Sequence, residues 1–216
     1  AVALCALLGW PDSLLLTAYT IRAVDEICDM LTVAGIDYLR NRKAFSKVGI
    51  LGHSEGGLNA FMLGGKKKVD FIVSLAGPSV KGDTLLATQG NRIMILSGQL
   101  PNMSVKKYRE TVAEMNNPWI NWFIDYDPSD DIRQTRCPVF ALNGDRDCQV
   151  ISTLCLPAFQ RLLPTSKKNR IKQYPGLNHL FQHSATGVPT EYGEIEETIA
   201  PEVLSDIAEW INSIKS

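Results

Sequence analysis

A serine lies in a short glycine-rich turn between two apolar runs. The turn is Gly52-His53-Ser54-Glu55-Gly56-Gly57. Residues 47–51 before it are typical of a buried strand, and residues 58–63 after it are typical of a helix. A Gly-x-Ser-x-Gly turn between a strand and a helix strains the serine backbone and presents the hydroxyl at the end of the sheet. We therefore predict that Ser54 is a nucleophile for acyl transfer; the alternative is an ordinary turn with a surface serine.

A serine hydroxyl is a poor nucleophile at neutral pH unless a neighbouring base takes its proton. The chain has three histidines that are candidates for this base. His53 precedes the serine in the tight turn, so we expect its side chain to point away from the hydroxyl and to pack. His179 directly follows a predicted strand, whereas His183 lies four residues further on, in a predicted helical turn. We therefore favour His179 over His183 as the base.

The imidazole in turn needs a carboxylate that fixes its tautomer. Asp145 and Asp147 both lie in the loop Asn143-Gly144-Asp145-Arg146-Asp147, which follows the apolar run 139–142. Either aspartate is placed to reach an imidazole, and the alternative role for both is ordinary turn chemistry. The order along the chain is then serine, aspartate, histidine, which is the order found in hydrolases with this kind of serine turn.

Strands alternate with helices along the chain, which predicts an α/β fold with a mostly parallel sheet flanked by helices. The predicted strands are residues 1–8, 47–51, 69–75, 137–142 and 170–174, and the predicted helices outside the serine turn are 17–42, 152–163 and 201–214. Ser152 or Thr153 is the expected N-cap of the second of these helices. The expected buried face of the last helix consists of Leu204, Ile207, Ala208, Ile211 and Ile214.

Residues 81–135 interrupt this alternation with helical patterns at 105–115 and 118–124. We predict a helical cap inserted into a core that comprises residues 1–80 and 136–216. Such a cap would exclude water from the site and shape a pocket for the substrate. Trp119, Trp122 and Phe123 are expected mainly to pack between the cap and the sheet, with substrate contact as the alternative.

Residues 49–57, 142–150 and 175–182 carry the serine, aspartate and histidine motifs. Together they resemble the α/β-hydrolase superfamily, in particular its bacterial esterase-like and dienelactone-hydrolase-like members. The resemblance covers about residues 17–216. In the Gly-x-x-Asp pattern of these proteins the acid matches Asp147 rather than Asp145. The resemblance thus implies a catalytic triad of Ser54, Asp147 and His179, and it implies no metal and no organic cofactor.

The resemblance also implies an oxyanion hole made by two backbone N–H groups. One belongs to the residue after the nucleophile, here Glu55. The other belongs to the loop after the third strand of the fold. We match residues 1–8 to the fourth strand, which predicts that the first three strands are missing and that the sequence is a fragment or a truncated relative. If residues 1–8 were instead the third strand, Trp10 would supply the second donor.

The composition is that of an ordinary globular domain: 216 residues, 45% hydrophobic and 21% charged. The net charge of −1 gives no general attraction to nucleic acid or to an anionic membrane, and no apolar run is long enough to span a bilayer. Residues 1–8 lack the basic start of a signal peptide. We expect free thiols rather than disulfides or a zinc site, because no C-x-x-C pair occurs among Cys5, Cys28, Cys137, Cys148 and Cys155.

These observations predict a serine hydrolase that cleaves small-molecule carboxylic esters. A peptidase or an acyltransferase would use the same three side chains and differ only in its pocket. A third hypothesis, supported by the missing strands, is a catalytically silent binding module with the α/β-hydrolase fold. We expect neither a nucleic-acid partner nor a membrane partner, and the sequence leaves the oligomeric state and the compartment open.

Overall fold

In the part of the chain that the structure describes, four parallel strands form the sheet that positions the site. The computed structural model describes residues 23–64 and 69–214. Since parallel strands all run the same way, their carboxyl ends meet at one edge of the sheet. The strands are neighbours in the order in which they follow along the chain, which confirms the predicted parallel α/β fold: β1 (Ile50–His53), β2 (Ile72–Leu75), β3 (Val139–Gly144) and β4 (Arg170–Tyr174).

Helices connect and cover these strands. Within the described ranges, no helix is both long enough and apolar enough to cross a membrane. A 3₁₀ helix spans Pro189–Glu194. The α-helices are α1 (Ala23–Asn41), α2 (Glu55–Gly64), α3 (Gly82–Leu96), α4 (Val105–Met115), α5 (Pro118–Asp125), α6 (Ser129–Gln134), α7 (Ser152–Leu162) and α8 (Pro201–Ser213).

The central strands are buried on both faces. Ile72 and Val139 enter an apolar cluster formed with side chains of α1, α2, α6 and α7. Val73 and Phe140, the next residues along the same strands, enter a second cluster formed with α8. This alternation follows from the two-residue period of a strand. Because both faces are covered, the strands read as continuous apolar runs in the sequence.

The last helix buries a face that matches the predicted one in part: Ile207 and Ile214 are buried and Ile211 is partly buried. Leu204 is 53% exposed and Ala208 is also exposed, so these two expected core residues are corrected to surface residues. The buried side chains recur at three- and four-residue intervals along the helix instead. They are Val203, Ile207, Trp210 and Ile214.

Several local predictions also need correction. Neither Ser152 nor Thr153 caps α7: its N-cap is Ile151, with no side-chain hydrogen bond, and the Ser152 hydroxyl accepts from Gln173 Nε2 at 2.7 Å. His183 does not lie in a helical turn but pairs with Leu177 in an isolated antiparallel bridge. The strand before the serine spans 50–53 rather than 47–51. The predicted strand 1–8, Trp10 and the start of the predicted helix at 17–22 lie outside the described residues.

Four helices, α3 to α6, lie between β2 and β3, and we call residues 82–134 the helical segment. Val112, Ile120 and Ile124 form a small buried cluster of their own between α4 and α5. Phe123 of α5 packs instead with Leu58 of α2, in a cluster that joins the helical segment to the helix after the serine. α5 therefore lies next to the serine turn.

Candidate active site

The serine turn has the strained geometry that its sequence predicts. Ser54 has φ +55°, a left-handed conformation that is costly for a residue with a side chain. A Cβ atom added to Gly52 would lie 2.0 Å from the Gly56 carbonyl oxygen, so only glycine fits where the strand and helix approach each other. The Ser54 N–H donates to the Leu75 carbonyl at 2.8 Å, which ties the turn to β2.

Asp147 and His179 form the best-defined polar pair of the site. Asp147 Oδ2 lies 2.8 Å from His179 Nδ1, and both side chains are at least 95% buried. The other carboxylate oxygen accepts the backbone N–H groups of Gln149 and Val150 at 2.8 and 2.9 Å. Since an ionised carboxylate only accepts, this contact places a proton on Nδ1, which leaves Nε2 as the ring nitrogen that can act as a base.

His53 supports this pair from the strand that leads to the serine. Its Nε2 donates to the backbone carbonyl of His179 at 2.8 Å, and the two ring centroids are 4.7 Å apart. Burial lowers the pKa of His53, and the nearby His179 lowers it further, so the ring is neutral at pH 7. The expected packing role of His53 thus includes a hydrogen bond to the backbone of the predicted base.

The loop that carries His179 is held by its own polar side chains. Asn178 is fully buried; its Oδ1 accepts the N–H groups of Leu180 and Gln182 at 2.9 and 3.0 Å, and its Nδ2 donates to the Gln182 side chain at 2.9 Å. Phe181 has φ +61° within this turn. Asn178 and Gln182 were not predicted as site residues from the sequence, although an asparagine that bonds the backbone two residues ahead is a known turn signal.

The two alternative site residues lie elsewhere. Asp145 is exposed, and its Oδ1 accepts the Gly176 N–H at 2.7 Å. His183 is also exposed and lies between two carboxylates, with Nδ1 at 3.0 Å from Glu197 and Nε2 at 3.3 Å from Glu202. The structure therefore brings Asp147, not Asp145, to the histidine that follows β4.

Glu55, the expected source of one oxyanion donor, is the first residue of α2. A helix N-terminus points its unpaired N–H groups and its positive dipole end towards the serine, which suits a negative charge there. The Glu55 side chain contacts the helical segment: its Oε1 accepts the indole N–H of Trp119 at 2.8 Å. This contact with α5 had no counterpart in the sequence analysis.

The described part of the chain contains no group of three or more histidine, cysteine or acidic side chains that would hold a metal ion. Cys137, Cys148 and Cys155 are free thiols, which agrees with the prediction for these three positions. Burial raises the pKa of Cys137 and of Cys155 to about 11. These thiols are therefore protonated at neutral pH and are poor nucleophiles.

Comparison with known proteins agrees with this geometry. The sequence pattern of the prolyl oligopeptidase family matches residues 25–197. A search of curated proteins gives no match. Three similar solved structures illustrate the likeness. A proline iminopeptidase from Mycobacterium smegmatis is 13% identical with a TM-score of 0.51, and the match covers 86% of this chain and 72% of that one. A monoacylglycerol lipase from Paleococcus ferrophilus is 17% identical with a TM-score of 0.50 (88% of this chain and 76% of that one), and an esterase from Pyrococcus furiosus is 18% identical with a TM-score of 0.46 (83% and 59%).

The fold is that of an α/β-hydrolase, as the sequence resemblance predicted. The parallel sheet and the left-handed serine between β1 and α2 show this, together with the likeness to the iminopeptidase and the monoacylglycerol lipase. The chain belongs to the prolyl oligopeptidase family, which is a family of serine hydrolases with this fold. It spans 59% of the length of the Pyrococcus furiosus esterase.

Proposed function

We propose that the chain is the catalytic part of a serine hydrolase that cleaves carboxylic esters through an acyl-enzyme on Ser54. The observation that carries this proposal is the buried 2.8 Å contact between Asp147 and His179. The contact leaves the second ring nitrogen available as a base, and His53, the neighbour of Ser54, bonds to the same histidine. No step of the proposed reaction needs a metal or an organic cofactor.

In the first step the Ser54 oxygen attacks the acyl carbon of the ester. A C–O bond forms, the carbonyl electron pair moves to the oxygen, and His179 Nε2 takes the hydroxyl proton. Asp147 keeps its negative charge and stabilises the imidazolium through its hydrogen bond to Nδ1. The Glu55 N–H, at the start of α2, donates to the oxyanion.

The tetrahedral intermediate then collapses. The bond to the leaving alcohol breaks, and the imidazolium gives its proton to that alcohol. Water repeats the sequence on the acyl-enzyme, with His179 again acting as the base, and releases the carboxylic acid. A second oxyanion donor belongs to a part of the fold before β1, and loss of one such donor typically costs about 10²- to 10³-fold in rate.

The helical segment serves in this proposal as a cap over the site. Trp119 and Phe123 of α5 stack on each other with centroids 5.2 Å apart, and Phe123 belongs to the same buried cluster as Leu58 of the helix that begins next to Ser54. An aromatic wall in this position would exclude water and favour an apolar acyl group.

Peptide hydrolysis is the second candidate function, and the match to the prolyl oligopeptidase family favours it. The same serine, histidine and aspartate would act, with an amine as the leaving group. Comparing kcat/KM for short p-nitrophenyl esters with that for aminoacyl p-nitroanilides separates the two, since a peptidase prefers the anilides after correction for their lower intrinsic reactivity.

The proposal is tested by replacing the nucleophile. Ser54→Ala is expected to lower turnover of p-nitrophenyl butyrate by at least about 10³-fold, because the remaining groups cannot form the acyl-enzyme. Ser74→Ala is a matched control: it removes another serine hydroxyl close to the turn, on β2, and should retain activity. Turnover that survives Ser54→Ala would refute the assignment, and a protein with no turnover at all would favour the silent binding module.

A further inference from the structure

The exposed hydrophobic side chains are concentrated in one part of the helical segment. Among the residues that the structure describes, nine large hydrophobic side chains are exposed, and five of them lie between positions 93 and 115. Single hydrophobic residues scattered over a surface are ordinary, whereas a concentrated group marks an interaction site. We call residues 93–105, which carry four of the five, the apolar tip. The five side chains are Ile93, Ile95, Leu100, Val105 and Met115.

α3 carries the first part of the apolar tip away from the protein core. Its buried residues all lie among its first six, and the last of them is Ala87. Leu85 joins the cluster that includes Leu58 of α2, whereas no residue from 88 to 96 is buried. At a rise of about 1.5 Å per residue, the end of α3 lies about 16 Å beyond Leu85 along the helix axis.

The end of α3 is apolar on every side. Ile93 and Ile95 point in directions about 200° apart around the helix, yet both are exposed. Met94 and Leu96 are half-buried. A helix that is apolar all round is normally buried within a protein or a membrane. The described part of the chain does not bury this one, so its surface is available for docking.

The loop after α3 presents Leu100 on a fixed backbone. Asn91 holds this loop by two hydrogen bonds of 2.8 Å, one from its Nδ2 to the Met103 carbonyl and one from the Met103 N–H to its Oδ1. Ser104 then caps α4. Leu100 itself is 85% exposed. Because the loop is already ordered, its leucine can enter another phase without the entropy cost of ordering a mobile loop.

The charges around the apolar tip have one sign. Lys106 and Lys107 are exposed at the start of α4, whereas Arg109 is engaged by two aspartates within the helical segment. Lys106 lies 3.9 Å from Glu110, in an exposed pair of the kind that contributes little. The net charge of −1, on which the expectation of no membrane partner rested, describes the whole chain and not this segment. Residues 84–109 contain no acidic residue but four basic ones, which are Arg92, Lys106, Lys107 and Arg109.

The composition of the apolar tip fits a lipid surface better than a protein partner. Protein interfaces are rich in aromatic residues and poor in lysine, but residues 84–107 contain no aromatic residue. A second copy docked by the same surface about a two-fold axis would bring the lysines of both copies together. Aliphatic side chains beside lysines are instead the pattern with which proteins bind anionic membranes.

We propose that the apolar tip, together with Lys106 and Lys107, is a docking surface for an anionic lipid bilayer. The aliphatic side chains enter the boundary between head groups and acyl chains, and the lysines lie among the anionic head groups. The helical segment, proposed above as a cap over the site, then faces the lipid. Docking needs no hydrolysis, so it does not rest on the proposed function.

The test is co-sedimentation of the protein with lipid vesicles. The Ser54→Ala variant is used, so that the proposed reaction consumes no lipid ester. Vesicles of phosphatidylcholine that contain about 30% phosphatidylserine are compared with vesicles of phosphatidylcholine alone. We expect binding to the anionic vesicles to be at least about tenfold tighter, and this preference to be lost at high salt.

A substitution of Leu100 tests the apolar part of the surface. Leu100→Asp should weaken binding to the anionic vesicles by at least about tenfold, because it removes an exposed anchor and adds a negative charge. Leu204→Asp is the matched control, since Leu204 is an exposed leucine of α8 and lies outside the apolar tip. This control should bind as tightly as the unsubstituted surface does.

A lysine pair tests the electrostatic part. Lys106→Gln combined with Lys107→Gln should weaken binding to the anionic vesicles by about 25-fold, about fivefold for each charge, and leave binding to phosphatidylcholine alone unchanged. The matched control is Lys167→Gln combined with Lys168→Gln, since these two lysines are also adjacent and exposed but lie in the loop before β4.

Absence of binding to the anionic vesicles, or equal losses in the variants of the apolar tip and in their controls, would overturn the proposal. A dimer that Leu100→Asp dissociates in sedimentation velocity, without any vesicle binding, would overturn it in favour of a contact between two copies. Turnover of p-nitrophenyl butyrate by the wild type in the absence of vesicles tests the proposed function separately, so each proposal fails on its own measurement.

Discussion

At the scale of single residues, the site depends on a carboxylate that is satisfied on both oxygens. Asp147 accepts two backbone N–H groups on one oxygen and His179 on the other. Its position in a Gly-x-x-Asp pattern was visible in the sequence, as were the serine and the histidine. The bond between Glu55 and Trp119 was not visible, because the two residues are 64 positions apart and only the fold brings them close. The bonds of Asn178 are local to its turn, and they were missed although asparagine is a known turn signal.

The first prediction concerns the role of Asp147. Asp147→Asn keeps the shape of the side chain but lets an amide face Nδ1, which favours the wrong imidazole tautomer. We expect kcat for ester hydrolysis to fall by about 10³- to 10⁴-fold. Asp145→Asn is the matched control, since Asp145 is exposed in the same loop and bonds Gly176. Equal losses in the two variants would contradict the role given to Asp147.

The second prediction uses the lowered pKa of His53. Because burial keeps this ring neutral in the folded protein, unfolding takes up a proton at His53 once the pH is below about 6.5. The stability that depends on the neutral ring is present above that pH and is lost as the pH falls further. His53→Gln keeps a donor for the His179 carbonyl but does not titrate.

The measurement is the free energy of unfolding of wild type and of His53→Gln by urea denaturation at pH 7.5 and 5.5. The wild type should lose more stability than the variant over this interval. A difference between the two proteins that does not change with pH, or that changes in the other direction, would show that His53 is not held neutral by the fold.

At the scale of elements, the helices with clear caps were the easiest to predict. The patterns predicted at 105–115 and 118–124 begin where α4 and α5 begin, and the structure shows that Ser104 and Asn117 cap these two helices. α7 lacks such a cap, and the expected one at Ser152 or Thr153 was wrong. The buried face of α8 was predicted only in part, since Ile207 and Ile214 are buried but Leu204 and Ala208 are exposed; the sheet against which the helix packs decides which side chains it buries.

The third prediction concerns how the helical segment holds together. Arg109 of α4 bonds Asp83 of α3 at 2.7 Å and Asp125 of α5 at 2.8 Å, so one guanidinium joins three helices. Burial opposes the charge on Asp83, but the hydrogen bonds from Arg109 and Thr84 outweigh it and lower the pKa of that carboxyl. Arg109→Met would leave the buried Asp83 carboxylate without its main partner.

We expect Arg109→Met to cost about 1–3 kcal/mol of unfolding free energy, measured by urea denaturation. Arg133→Met is the control. Arg133 pairs with Asp130, one turn earlier on α6, and both side chains are exposed. Such exposed ion pairs contribute only about 0–1 kcal/mol to the free energy of unfolding. A loss for Arg109→Met no larger than that of the control would mean that the three-helix ion pair contributes little to the segment.

At the scale of the whole molecule, the order of strands and helices could be predicted because each central strand is buried on both faces and reads as an apolar run. The parallel arrangement follows from the helices between strands. What could not be predicted from the sequence is the buried cluster that Phe123 of α5 shares with Leu58 of α2, since its members are far apart along the chain. Within the described residues β1 is an edge of the sheet, and Leu51 on it is 39% exposed.

The most direct test of the central claim is covalent labelling of the protein by a fluorophosphonate, followed by peptide mapping by mass spectrometry. The account predicts one adduct per chain, on Ser54, and a rate of labelling that falls by at least about 10²-fold in His179→Ala, where no base activates the hydroxyl. An adduct on another residue, or labelling of Ser54 at the same rate without His179, would contradict it.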